Sequence, residues 1–323
     1  MGISLTILPD LSAVSGQTGV HQVRRHESPQ ESEAGAPASS YAAKILAQRR
    51  ARDEEFRSRR WSALAVVAIA RLDRPRITIG SGSGVDLALI GDGVAGVHAE
   101  ILRPQGTDDE IRWKLRALEG KVWTDSEPPK PVYEMSLEAG TRVRIGHFIV
   151  YSDNLGTLGS VVRALDFTSP AFTQFKGLVY YPPDPRCRVE ATVVPHARMA
   201  PVLIGDTHGW QRPAWRYGDA RFTLEGKELQ LTLMVFTPKP GPKDTFFIAF
   251  TDETKGKETY PAARYLQPLF VPAGPMVLDF NEAMNPSCAY NDGFACPLPP
   301  PENRLPIAIR AGEKIYPNKS EHR

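Results

Sequence analysis

Cysteine is scarce. There are three in 323 residues, Cys187, Cys288 and Cys296, too few to staple a scaffold. No run of about 18 apolar residues occurs, which leaves no candidate transmembrane helix. The opening MGISLTILPDLSAV lacks the basic start and sustained apolar stretch of a secretory signal. Neither sign of charge dominates, with 39 Lys and Arg against 37 Asp and Glu, so no overall field draws the chain to nucleic acid or membrane. These absences predict a soluble, cytoplasmic protein with no nucleic-acid or membrane partner and no cofactor. Catalytic signatures are missing too: there is no Gly-x-Ser-x-Gly, no His-Glu-x-x-His and no Gly-Lys-Ser/Thr. MGISLT fits the loose myristoylation pattern through Gly2 and Thr6, a pattern short enough to arise by chance.

Proline (29) and glycine (26) are plentiful, and alternating apolar stretches outnumber helical ones. That predicts a mainly β chain of two domains joined by many turns. Residues 1–40 are expected to be disordered, because Gln17 to Ser40 is polar, small and proline-containing. A helix is predicted over 41–60, with Ser40 as N-cap and Tyr41, Ala42, Ile45 and Leu46 as an apolar stripe. Its six arginines, from Arg49 to Arg60, are interrupted by Asp53, Glu54 and Glu55. They read as a solvated face rather than an RNA patch. Short β-type runs fill 61–155 and predict an all-β sandwich. DNLGTLGS then reads as a linker, and 161–323 as a β-rich, barrel-like or sandwich domain for ligand binding. In that second domain FTLEGKELQLTLMVF predicts a hairpin turning at Glu225-Gly226-Lys227, with Leu229, Leu231 and Leu233 on one face. DTFFIAFTD, apolar on both faces, predicts a central buried strand.

The glycine cluster in ITIGSGSGVDLALIGDGVAGVHAEI, residues 77–101, raises the question of a phosphate loop. Such a loop leads a strand into a helix, whereas VDLALI alternates like a strand. Together with SLEAGTRVRIGHFIVYSD the stretch resembles a forkhead-associated domain, a β-sandwich that reads phosphothreonine. Ser81 stands where that family has its phosphate-binding arginine, and Ala95 where it has serine. Without a guanidinium the charge-assisted bonds to a phosphate dianion are lost, so no phosphopeptide partner is expected. His98 keeps the family's position, and the resemblance implies that it braces the loop.

The longest signal is VLDFNEAMNPSCAYNDGFACPLPPPENRLPIAIRAGEK, from Val277 to Lys314. With FKGLVYYPPDPRCRVEA and FFIAFTDETKGKETYPAARYL it resembles an uncharacterised bacterial and archaeal family, catalogued as a domain of unknown function. The likeness runs from about Tyr41 to Lys314. Met284 departs from the family's usual tyrosine and Pro261 from its common glycine. The resemblance implies a fold neighbourhood and no activity.

The residues themselves suggest a site. Period-two alternation puts Asp279 and Asn281 opposite Leu278 and Phe280. Asp252 ends an apolar face and needs water or a buried partner, for which Arg188 and Arg264 are candidates. Tyr260, Asn285 and Asn303 add neutral hydrogen-bonding groups. Two readings stand side by side: a polar-lined pocket for an unknown small molecule, and turn anchors plus a structural ion pair. A hydrolase or isomerase would use Asp252 or Asp279 as acid/base. A third possibility is a purely structural interaction module. CPLPPPEN should be an extended strap over the core. Cys288 and Cys296, with seven residues between them, are expected to lie close together, free when reduced and able to pair on oxidation. A zinc site would require Cys187 and His196 or His208 to join them, a spacing that matches no common ligand pattern. His208, near Asp206, reads as an exposed turn histidine rather than a base.

Overall fold

A 20-residue helix, α1 (Ala38–Arg57), opens the described part of the chain. The structure, a computed structural model, describes residues 38–103, 113–154 and 160–319. The segment expected to be disordered lies outside these residues, except that Ala38–Ser40 form the first helical turn. Ser40 is therefore within the helix rather than its cap. The myristoylation pattern also lies outside the described residues. Helical periodicity brings Tyr41, Ile45, Arg49, Arg52 and Phe56 to one face, with Ile45 and Phe56 buried. Leu46 lies about 100° further round the axis and is exposed, so the apolar stripe is narrower than expected. The arginine reading also needs correction. Arg50 and Arg57 are exposed, but Arg49 is buried and Arg52 is ion-paired to a buried glutamate. Interleaved acids did not reveal which side of the helix packs.

The sandwich comprises β1 (Val66–Arg71), β2 (Arg76–Gly80), β3 (Leu87–Ala88), β4 (Ala99–Leu102), β5 (Trp113–Ala117) and β6 (Val122–Thr124). It continues with β7 (Pro131–Val132), β8 (Glu134–Leu137), β9 (Arg142–Ile145), β10 (Phe148–Asn154) and β11 (Ser160–Leu165). One sheet has the order β1-β11-β10-β9-β6-β7, the other β3-β2-β4-β5-β8. Inward positions alternate with outward ones: on β5, Trp113 and Leu115 are buried while Lys114 and Arg116 are exposed. With Ile77, Ile79, Leu87 and Ile101 they form a closed apolar core. The expected boundary at residue 155 is too early. β11 pairs antiparallel with both β10 and β1, so the sandwich runs to Leu165. DNLGTLGS, whose residues 155–159 lie outside the described set, joins two strands that pair with each other and so marks no boundary between the two regions.

After a short helix, α2 (Pro170–Thr173), come β12 (Arg188–Gly205), β13 (Gln211–Leu224), β14 (Lys227–Val235), β15 (Ile248–Phe250), β16 (Arg264–Leu266) and β17 (Gly274–Asp279). β14-β13-β12-β17 form an antiparallel sheet that stays open, and β15 pairs with β16. No closed barrel forms among the described residues. Leu224 faces Lys227 across a two-residue turn in which Glu225 (φ 52°) and Gly226 (φ 73°) are both left-handed. That geometry matches the twist of the flanking strands. The DTFFIAFTD segment is buried on both faces. Phe246, Ile248 and Phe250 enter one core with Leu231, Leu233 and Leu278, whereas Phe247 and Ala249 enter another.

That other core is the join. It combines Phe56 of α1, Leu64, Val66, Ile149 and Leu165 of the sandwich, and Phe247, Tyr265, Tyr290 and Phe294 of the C-terminal region. Asn291, fully buried, donates from Nδ2 to the carbonyls of Ala63 (3.0 Å) and Val66 (2.8 Å). Arg163 of β11, buried and paired with Asp153, lies 5.6 Å from the ring centroid of Trp61 and 5.2 Å from that of Phe294. Each large side chain buried here contributes roughly 1.5–3 kcal/mol.

Candidate functional site

The Val277–Lys314 motif does not run on as a strand. β17 ends at Asp279, whose carboxylate caps a tight turn by accepting the backbone N–H of Asn281 at 3.0 Å. Asn281 therefore reaches Asp279 by turning back, not by strand alternation. Its Nδ2 donates to Asp279 Oδ1 (3.0 Å), Tyr41 Oη (2.8 Å) and the Asp184 carbonyl (2.8 Å), and its Oδ1 accepts the Asp184 N–H (2.8 Å). The Tyr41 hydroxyl donates to the Asp279 carboxylate at 2.8–2.9 Å. Burial, then the Asp279 charge, push the Tyr41 phenol far above its ordinary range. Arg188 faces Asp279 in strand register, but its side chain is exposed and makes no hydrogen bond among the described residues.

Asp252 and Arg264 form a separate, buried group. Arg264 donates to Asp252 and to the carbonyls of Ala311 and Ile309, the last at 2.9 Å. Asp252 also accepts the N–H (2.8 Å) and hydroxyl (2.5 Å) of Thr254. Both side chains are at most 2% exposed, which leaves neither a route to solvent. Arg264 is thus engaged away from Asp279 and Asn281, whose partners are Tyr41 and Asp184. Asn303 is a third anchor. It accepts from Thr232 N (2.7 Å) and donates to the Thr232 (3.1 Å) and Ala249 (2.9 Å) carbonyls. It fixes the end of the CPLPPPEN strap, which is extended only as far as Pro300 before a 3-10 turn at Pro301–Asn303, and which also bonds to β12 through Leu298 N and Gly205 O (2.9 Å).

Asn285 differs from these. Its backbone N–H meets Glu313 Oε2 at 2.8 Å and its Nδ2 meets the Lys314 carbonyl at 2.7 Å. With the amide so fixed, Oδ1 is buried without a partner. Glu313, 1% exposed, accepts from Arg52 Nε at 2.6 Å and from Tyr290. Arg49 caps the same edge, donating to the Tyr181 carbonyl (2.7 Å) while its guanidinium lies 4.5 Å from the Tyr180 ring centroid. Tyr260 donates to the Cys288 carbonyl at 2.9 Å. The sequence reading missed Tyr41, Arg49, Arg52 and Glu313. The spacing of 41, 45, 49, 52 and 56 carried the signal, but polar members disguised it. His208 is exposed, its N–H on Asp206 Oδ1 (3.0 Å) and its Nε2 on the Asp292 carbonyl (2.9 Å). Among the described residues, no three His, Cys, Asp or Glu side chains are grouped to hold a metal.

In the sandwich, Ser81 donates from Oγ to the Val94 carbonyl at 3.0 Å. His98, fully buried, accepts the Ala95 N–H at Nδ1 (3.1 Å) and donates from Nε2 to the Lys121 carbonyl (3.0 Å). It thereby ties two loops together. Only glycine fits at 120, because a Cβ there would lie 1.9 Å from the imidazole.

A family model described as "Protein of unknown function (DUF1684)" matches residues 173–314. The solution NMR structure of an uncharacterised protein from Haloarcula marismortui is 33% identical, over 45% of this chain and 80% of that one, with a TM-score of 0.39. A protein of Synechocystis sp. is 16% identical over 31% of this chain and 95% of its own, with a TM-score of 0.22. A forkhead-associated domain of Mycobacterium tuberculosis is 13% identical over 31% of this chain and 94% of its own, with a TM-score of 0.20. No curated protein matches.

Proposed function

We propose, for a chain that belongs to the DUF1684 family of proteins of unknown function, a role in binding rather than in catalysis. The ligand is a small polar molecule that presents an N–H or O–H donor to the C-terminal region. The observation that carries the reading is Asn285, whose Oδ1 is buried and unpartnered while its other polar atoms are held. Buried acceptors are rarely left unpaired, and such an atom is where a ligand donor gains most. A catalytic reading has less support. A general acid or base must reach the proton it moves, and the carboxylate of Asp252 is enclosed by Arg264 and Thr254. Asp279 is committed to a turn cap and to Tyr41.

Thermal shift of the full chain against a panel of small amines, amides and polyols tests this. Binding at about 100-fold above Kd adds roughly 2.7 kcal/mol of apparent stability. At least one compound should stabilise the wild type and Asn285→Asp, which keeps the acceptor, but not Asn285→Leu. A shift that persists in Asn285→Leu, or none in the wild type, contradicts the proposal. The sandwich, on the same reading, binds no phosphopeptide, since Ser81 and Ala95 offer no cation. Titration with phosphothreonine peptides and their unphosphorylated twins should give no difference.

A further inference from the structure

The motif also brings two buried thiols together. The Cys288 backbone N–H donates to Cys296 Sγ at 3.2 Å, and both cysteines are buried and free. Hydroxyls converge on the pair. Thr207 Oγ1 accepts the Cys296 N–H at 3.1 Å, and the Tyr260 hydroxyl lies on the Cys288 carbonyl at 2.9 Å. Lys319, paired with Asp292 and partly exposed, sits 5.7 Å from the Tyr260 ring centroid. Arg212, which donates to the carbonyl of Ala295 next to Cys296 (3.2 Å), lies 3.9 Å from the buried Asp206.

We propose that Cys288 and Cys296 are a redox-active dithiol, oxidised by a hydroperoxide to a disulfide, with Cys288 attacking and Cys296 resolving. The Cys288 thiolate attacks the peroxide, forming S–O and breaking O–O. The alkoxide, or hydroxide from hydrogen peroxide itself, leaves and takes up the proton lost by Cys288. The Cys296 sulfur then attacks Cys288 Sγ, forming S–S and breaking S–O, and the departing hydroxide takes the Cys296 proton as water. Two thiols supply two electrons, and the peroxide becomes an alcohol (or water) plus water. The surroundings favour these roles. The neighbouring Cys296 thiol first, against the cost of burial, holds the Cys288 thiol below its ordinary pKa. Burial, then the bond to Cys288, pushes Cys296 well above. The bond closes the CAYNDGFAC loop, whose Asn291 holds the first sandwich strand.

The test uses the full chain, hydrogen peroxide and mass spectrometry of non-reduced digests. The wild type should yield a Cys288–Cys296 peptide lighter by two hydrogens, with Cys187 unmodified and unpaired. With a cyclic dione present, Cys296→Ser should trap a sulfenic acid at Cys288. Trapping at Cys296 in Cys288→Ser should be at least about 10-fold slower, given that thiolate fraction governs attack. Circular dichroism confirms that each variant is folded. Should a variant not fold, alkylation of the native wild type by iodoacetamide decides, with Cys288 expected to react before Cys296. Pairing of Cys187 with either thiol, oxidation of Cys187 before the pair closes, or preferential reaction at Cys296 overturns the proposal.

Discussion

The sandwich core and the join are built from different materials. The first is mostly Ile, Leu and Val at alternating strand positions, with Trp113 and Phe148 among them and a buried histidine, His98, bonded only to backbone. The second mixes aromatics, two thiols and an asparagine that spans from one region to the other, with the Arg163–Asp153 pair against its rings. An alternating apolar core needs only volume and pattern, and tolerates hydrophobic exchange. A core holding polar groups needs each of them satisfied, and loses stability sharply when a partner goes. The forkhead-associated-like half is thus held by volume and pattern, with Ser81 bonded to the Val94 carbonyl. Asn285, with its unpartnered buried acceptor, and the thiol pair, which is part of the join, both lie in the C-terminal motif.

The largest expected effect comes from a buried ion pair. Arg264→Met leaves the Asp252 carboxylate enclosed without its cation and should destabilise by about 3–5 kcal/mol in denaturant unfolding. A loss below about 1 kcal/mol would mean that Asp252 reaches solvent. Next comes the sandwich's own polar anchor. His98→Ala should cost about 1–3 kcal/mol, since it unties Ala95 and Lys121, and should leave peptide binding unchanged. The smallest effect is one of pH. Burial alone would raise Glu100, but hydrogen bonds from Arg76 and Arg116 outweigh it and hold its pKa below the usual value. Its contribution is full above the unfolded carboxyl pKa and fades as pH falls through the lower folded value. Glu100→Gln should flatten the acid limb of the stability curve below about pH 4.3. An unchanged limb would assign that loss to other carboxylates.

Much of this was legible in the sequence wherever one element decides the outcome. Period-two alternation marked the sandwich strands, and TLEGKEL marked a two-residue hairpin. Apolar residues on both faces of FFIAF marked a segment lying between two cores. Asp252 could be seen to need a cation, and Arg264 was one of two named. What escaped depends on partners far along the chain. Arg52 meets Glu313 across 261 residues, and Asn291 meets Ala63 across 228. No local pattern encodes those distances. Asp279 and Asn281 were paired for the wrong reason, because a capped turn and a strand both bring residues i and i+2 together. β11 belongs to the sandwich although the residues before it have a linker's composition.

The contrast between a self-contained sandwich and a dependent join is tested most directly by hydrogen exchange on Asn291→Ala. The substitution leaves two buried carbonyls without their donor while touching no residue of the sandwich core. Protection should fall in Phe246–Phe250 and Cys288–Cys296, and stay at wild-type level in Ile77–Ile79 and around Leu115. Equal loss of protection in both regions, or no loss in either, would contradict the account.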